Sequence, residues 1–241
     1  MLTKNNLDQF TKLHQTTAEN VIREYCQHLF LSYLYQQQHS EKLLFKDGTA
    51  LRIVYQSPRF SEDLDFTGTS ITAPKVEMVF ADTLAKVEKT GIPVELIESK
   101  KTSGGYLGLA IFSVYDTRVQ IQIEVSLRES KRIQGDQVLI VNEFIPAYTL
   151  VQLPEALLVE GKLAALFDRK KPRDFYDLFF LLSGNFKSTR NTKILRQTLD
   201  VLQNSKLDFQ RELKKFLPAS QSRQLRDFRT VLKQKIQMYL K

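Results

Sequence analysis

Cysteine is almost absent from this chain of 241 residues: Cys26 stands alone. No disulfide can form within the chain, which suits a reducing compartment such as the cytoplasm. A zinc site built on cysteine is excluded. Histidine does not replace it, because only His14, His28 and His39 are present and they are scattered. Long apolar runs are missing as well. The most apolar early stretch, residues 29–35, is too short to span a bilayer, and the polar first six residues lack a signal-peptide core. No membrane partner is expected. There is no internal repeat and no low-complexity linker. What is present is ordinary for a folded chain, with 42% hydrophobic and 26% charged residues, and enough length for one large domain or two small ones.

The net charge of +8 is unevenly placed. Residues 183–241 hold 14 Lys and Arg against 4 Asp and Glu, a net of +10, which leaves −2 for the first 182 residues. A basic C-terminal quarter points to an acidic polymer, nucleic acid before membrane. The competing reading is a solvated, lysine-rich helical surface.

Residues 5–40 read as helical, with Val21, Ile22, Tyr25, Leu29 and Tyr33 at helical spacing. A short apolar run at 43–45 ends at the turn signal Asp47-Gly48. Thr49 is placed to cap a helix over 50–55, which Pro58 ends. A strand is expected at 64–66 and a helix over 74–90, closed by Gly91. Strands follow at 94–99, 105–115 and 118–127. The last is the cleanest, because Val119, Ile121, Ile123 and Val125 alternate with Gln120, Gln122, Glu124 and Ser126. Shorter strands are expected at 138–141 and 148–152. From Pro154 on the pattern is helical, including an amphipathic helix over 222–241. The expected fold is therefore α/β: a small mixed sheet with flanking helices over 1–153, then a basic helical region over 154–241.

Chemistry concentrates in the mixed region. Phe45-Lys-Asp-Gly-Thr-Ala-Leu-Arg is a strand, a turn and a helix start, whose outward amides favour an anion. Gly48 lets that backbone approach a phosphate closely. Asp63 and Asp65 are two apart on a strand, so both carboxylates share one face while Leu64 and Phe66 turn inward. Parallel carboxylates repel unless a cation sits between them, and a divalent metal wants such hard oxygen ligands. The alternative is an exposed acidic strand end. Glu124, on the polar face of the alternating strand, gains meaning only with that pair, since a third carboxylate allows two-metal phosphoryl chemistry. Arg52, Arg59 and Ser61 flank this region and can contact phosphate, or serve as ordinary salt-bridge and turn residues.

The order Gly48-Thr49, then Asp63-x-Asp65, then a strand carrying Glu124 resembles the DNA polymerase beta-like nucleotidyltransferases. In detail, Gly48-Thr-Ala-Leu-Arg52 and Arg59-Phe-Ser-Glu-Asp-Leu-Asp-Phe66 resemble the AbiEii/AbiGii toxin family, to which the MenT toxins are related. A second block, Glu160-Gly-Lys-Leu-Ala-Ala-Leu-Phe-Asp-Arg169 and Pro172-Arg-Asp-Phe-Tyr-Asp-Leu178, extends the likeness to about residue 178. The departure is Asp47, where the family usually has glycine; a carboxylate there weakens triphosphate binding unless it points away.

The resemblance implies a toxin that moves a nucleoside monophosphate from a triphosphate to RNA, the acceptor end of transfer RNA, and that is paired with a separate antitoxin. Asp63, Asp65 and Glu124 would hold Mg²⁺ or Mn²⁺. Gly48, Thr49, Arg52, Arg59, Ser61, Lys162 and Arg169 would bind the nucleotide, and Asp174 would orient Lys162 or another basic group of the site. Independently, Lys162 lies between Leu158 and Leu166 on an apolar stripe, where a lysine needs a partner or must snorkel. Arg226, Arg229 and Lys233 form a stripe beside the apolar face of the last helix and are expected to follow the RNA backbone. The rival readings are the same transfer to a protein or small molecule, and a non-catalytic binding module on the same fold.

Overall fold

The structure is a computed structural model and describes residues 2–128, 132–184, 186–222 and 224–240. The chain divides into two compact units, Met1–Gln56 with Phe60–Pro154, and Ser57–Arg59 with Glu155–Lys241.

The first unit holds helices α1 (Lys4–Leu13), α2 (Ala18–Leu34), α3 (Asp47–Ile53) and α4 (Ala73–Glu88). Its strands are β1 (Leu43–Lys46), β2 (Leu64–Gly68), β3 (Val94–Thr102), β4 (Gly105–Val114), β5 (Thr117–Ser126), β6 (Asp136–Ile140) and β7 (Tyr148–Gln152). They form one mixed sheet in the order β3-β4-β5-β2-β1-β7-β6. The pairs β2–β5 and β1–β7 are parallel, and the remaining neighbours are antiparallel. This is the mixed α/β fold expected from the pattern. Strand β5 behaves as its alternation predicts: Val119, Ile121, Ile123 and Val125 are buried, while Gln120 and Glu124 are exposed.

One face of the sheet packs on α2 and α4. Phe66 on β2 meets Phe45 on β1 at 5.5 Å and Phe80 on α4 at 6.0 Å, and Phe80 meets Phe30 on α2 at 5.6 Å. All four rings are almost fully buried. Burial of side chains this large contributes roughly 1.5–3 kcal/mol each. The alternation of β2 then turns Asp65 to the opposite face.

Three local expectations change. The helical stretch over 5–40 is two helices, because Gln15 takes a φ of 50° and Thr17 caps α2 by accepting from the Asn20 amide. The helix expected from residue 50 begins at Asp47, with Lys46 in the capping position, so Thr49 lies inside its first turns and is not the cap. It ends at Ile53, before Pro58 is reached.

The second unit is helical: α5 (Glu155–Arg169), α6 (Pro172–Ser183), α7 (Thr192–Asn204), α8 (Phe209–Leu213) and α9 (Phe228–Met238). Helix α9 is shorter than the helix expected over 222–241, of which residues 223 and 241 lie outside the described residues. Of the apolar stripe expected at Leu225, Phe228, Leu232, Ile236 and Tyr239, the first four are buried, with Leu225 just before the helix, and Tyr239 is half-buried. Phe228 sits 4.9 Å from Phe209 and stacks on Tyr176 at 5.7 Å. Among the described residues no helix is long and apolar enough to cross a membrane.

Candidate active site

Strand β2 is the centre of the candidate site because its register brings three charged residues into one row. Asp65 stands opposite Lys46 on β1 and opposite Glu124 on β5. Side chains opposite one another on adjacent strands share a face, about 5 Å apart. The row across three strands is thus Lys46, Asp65, Glu124. Asp63 precedes Asp65 by two residues, which by strand alternation sets it on the same face just beyond the sheet. Asp63 and Asp65 are half-buried and Glu124 is exposed. Glu124 accepts a hydrogen bond from Gln122 Nε2 at 2.5 Å, two residues away on the same face. Among the described residues, no three Asp, Glu, His or Cys side chains already close on one point.

The strand–turn–helix beside this row is tight: β1 ends at Lys46 and α3 starts at Asp47 with no residue between. The chain turns there because Asp47 adopts a φ of 68°, in the left-handed region that glycine occupies without strain. Aspartate is among the few other residues that enter that region, at a cost of about 1–2 kcal/mol. Asp47→Gly should therefore fold with a stability within about 1 kcal/mol of the parent. Its triphosphate affinity should rise, because one negative charge leaves the turn. A calorimetric titration with a non-hydrolysable triphosphate checks this, and an unchanged affinity would mean the Asp47 carboxylate points away. Helix α3 has only seven residues, so the turn offers a few amides rather than the field of a long helix.

Several side chains expected at the nucleotide are engaged elsewhere. The buried Thr49 hydroxyl donates to the Asp63 carbonyl. Arg52 makes a two-pronged ion pair with Glu24 on α2, through Nε to Oε1 at 2.8 Å and Nη2 to Oε2 at 3.1 Å. Its guanidinium also lies 4.1 Å from the centre of the Phe60 ring. Arg59 is buried and makes a two-pronged pair with Asp177, at 2.8 and 3.0 Å. Ser61 is half-buried, and its carbonyl accepts from Gln27. Cys26 and His28 are both buried. Burial pushes the Cys26 thiol far up. It also pulls His28 down to about 4, against the raising effect of Glu24, and His28 Nδ1 is paired with the Tyr148 hydroxyl at 2.9 Å.

In the helical unit, Lys162 has the partner its apolar stripe demanded, but that partner is Asp177. The Nζ lies 2.9 Å from Asp177 Oδ2, with both side chains almost fully buried. Asp177 thus sits between Lys162 and Arg59. Burial alone would raise its carboxyl, yet the Arg59 guanidinium and the Lys162 ammonium outweigh burial and hold it below the usual carboxylate value. Asp174, expected to orient Lys162 or another basic group of the site, lies against Arg169 rather than Lys162. It accepts from Arg169 Nη2 at 2.8 Å and from the Lys171 amide at 3.0 Å, which also caps α6. Asp177 was missed, although a signal existed. It lies beyond the reach of a helix cap, among the buried positions Phe175, Leu178 and Leu181. Lys46 was also missed, because its place opposite Asp65 depends on register rather than spacing.

The row Arg226, Arg229, Lys233 is not a row. Arg226 precedes α9. Arg229 donates to the carbonyls of Leu202 and Ser205, the latter at 2.8 Å, and lies 5.8 Å from the Phe209 ring centre. Only Arg226 and Lys233 are exposed.

The family model described as nucleotidyl transferase AbiEii toxin, type IV TA system, matches residues 29–238. Among solved structures, the chain is similar to an H. pylori protein assigned as a nucleotidyltransferase, at 20% identity and a TM-score of 0.63, over 93% of this chain and 96% of that one. It is likewise similar to JHP933 from Helicobacter pylori, at 19% identity and a TM-score of 0.63, over 93% of each chain. No curated protein matches. At these identities the solved structures speak for the fold.

Proposed function

Because the chain belongs to the AbiEii nucleotidyl transferase toxin family, we propose that it transfers a nucleoside monophosphate from a nucleoside triphosphate to RNA, at the acceptor end of transfer RNA, releasing pyrophosphate. Its partners are then the triphosphate, the RNA and a cognate antitoxin, and it acts in the cytoplasm. What supports this reading best is the register that sets Asp65 beside Glu124, with Asp63 two residues upstream. The donors are carboxylate oxygens, a set that suits Mg²⁺ or Mn²⁺. A cation bound there supplies charge neutralisation at the triphosphate and at the attacking hydroxyl. Asp63 and Asp65 would hold it, and Glu124 would complete the set and accept the proton of the acceptor hydroxyl at a carboxylate oxygen. The amides after Lys46 and the Lys46 ammonium face the phosphates. In the helical unit Arg169 is exposed and pairs with Asp174. Lys162 pairs with the buried Asp177 in the same unit.

The test is incubation with each labelled triphosphate in turn, Mg²⁺ and total cellular RNA, followed by a denaturing gel. Label should enter the transfer-RNA band with one triphosphate preferred, and chelation should abolish it. Label confined to protein, or absent under all conditions, would overturn the RNA reading.

The basic C-terminal quarter should supply RNA affinity through Arg226 and Lys233. Replacing both by alanine should flatten the log–log salt dependence of RNA binding by about 0.7–0.9 for each phosphate no longer neutralised. Arg229→Ala should behave differently: it removes hydrogen bonds to two carbonyls and should lower stability by roughly 1–3 kcal/mol. Filter binding across a salt series, with thermal melts, separates the two. An unchanged slope in the double variant would make that surface a solvated face.

A further inference from the structure

Helix α2 buries an unusually polar stripe. Asn20, Arg23, Glu24, Gln27 and His28 recur at helical spacing and are all buried. Buried amides and charges are retained where their partners are met. Two members of this stripe act on the short irregular segment that leads into β2.

Gln27 is 1% exposed, and its Nε2 donates to the carbonyls of Ser61 at 3.0 Å and Glu62 at 3.2 Å. The next carbonyl, that of Asp63, accepts from the buried Thr49 hydroxyl on α3. Three consecutive carbonyls are therefore held by two side chains from two helices. Glu24 adds a third restraint through Arg52, whose guanidinium covers the Phe60 ring. The ladder of β2 begins only at Leu64. Asp63 thus precedes the first paired residue of β2, while Asp65 is paired on both sides. The aim of the Asp63 carboxylate depends on a backbone whose carbonyls these side chains hold.

We propose that Gln27 and Thr49 are positioning residues for nucleotidyl transfer: they lock the carbonyls of Ser61, Glu62 and Asp63 so that the Asp63 carboxylate shares one cation with Asp65. This rests on the metal-carboxylate reading above. Neither side chain touches a reacting group. Both act through the backbone, in the way outer-shell partners orient metal ligands.

The experiment uses the intact protein with Mn²⁺ as the probe, free Mn²⁺ being followed by electron paramagnetic resonance well below the melting temperature. Gln27→Met keeps length and volume but loses both donors. Thr49→Val keeps shape but loses the hydroxyl, and Thr49→Ser retains it. Should Gln27→Met fail to fold, Thr49→Val reads the same lock. Asp63→Ala should abolish tight Mn²⁺ binding. Gln27→Met and Thr49→Val should each weaken it about tenfold, and Thr49→Ser should restore it. Hydrogen exchange should quicken at residues 61–64 and stay unchanged in β4 and β5. Parental Mn²⁺ affinity in both Gln27→Met and Thr49→Val, with binding lost in Asp63→Ala, would overturn the positioning role alone. Parental affinity in Asp63→Ala would overturn the carboxylate reading and this inference with it.

Discussion

Asp63→Ala and Asp65→Ala should each lose more than about 100-fold in nucleotide transfer, beyond what removal of an outer-shell partner costs, and should no longer arrest growth on expression. The expectation follows from register. Asp65 sits opposite Glu124, with Asp63 two residues before it, so three carboxylates share one face at one end of two parallel strands. Like charges on facing positions destabilise a sheet by roughly 0.2–1 kcal/mol. Replacing one of them should thus leave stability unchanged or slightly raised, the opposite of what a structural role predicts. Lys46, on the other side of Asp65, offsets part of that repulsion. Transfer rates, thermal melts and growth curves on the same two variants decide the matter. A variant with near-parental transfer would refute the assignment of that carboxylate.

The sheet was legible because its signals are local. Strand β5 announces itself by alternation, and the same alternation placed Glu124 on the polar face. The pair Asp63 and Asp65 was legible from its spacing, although β2 begins only at Leu64. Register was not, since nothing in the spacing says that β2 lies between β1 and β5, and so Lys46 passed unnoticed. The helical unit shows the same limit. Lys162 between Leu158 and Leu166 declared that it needed a partner, but Asp174 and Asp177 differ by less than one turn of α6. Only packing decides which carboxylate points inward. Arg229 failed for a related reason: a cation beside an apolar stripe looks solvated until a neighbouring helix end presents its carbonyls. Gln27 carries no sequence signal beyond its place in a polar stripe on a helix that proves to be buried.

Asp177→Leu should be the most destabilising single change in the helical unit. The carboxylate is 1% exposed and neutralises two buried cations, Arg59 at 2.8 and 3.0 Å and Lys162 at 2.9 Å. Removing one partner of a buried pair costs about 3–5 kcal/mol, because the charge left behind is held away from water with less compensation. For a unit of this size that lowers its melting transition by roughly 10 °C or more. Losing Lys162 is milder, since Arg59 still covers both carboxylate oxygens, and Lys162→Met should cost about 1–3 kcal/mol. The pH dependence has a definite sign. The folded-state carboxyl is held below its unfolded value by Arg59 and Lys162 despite burial. Its contribution is therefore complete above the unfolded value of about 4, and is lost as pH falls through the lower folded one. In Asp177→Leu the acid limb of the stability curve should accordingly flatten below about pH 4. A triple variant, Arg59→Met with Lys162→Met and Asp177→Leu, removes all three charges and should recover most of the lost stability, since apolar replacement of a whole buried ion group is often neutral or stabilising by about 1–4 kcal/mol. Melts of the single and triple variants across pH measure all of this. A single variant as stable as the parent, or a triple variant no better than the single one, would show that charge pairing at Asp177 does not hold these three residues together.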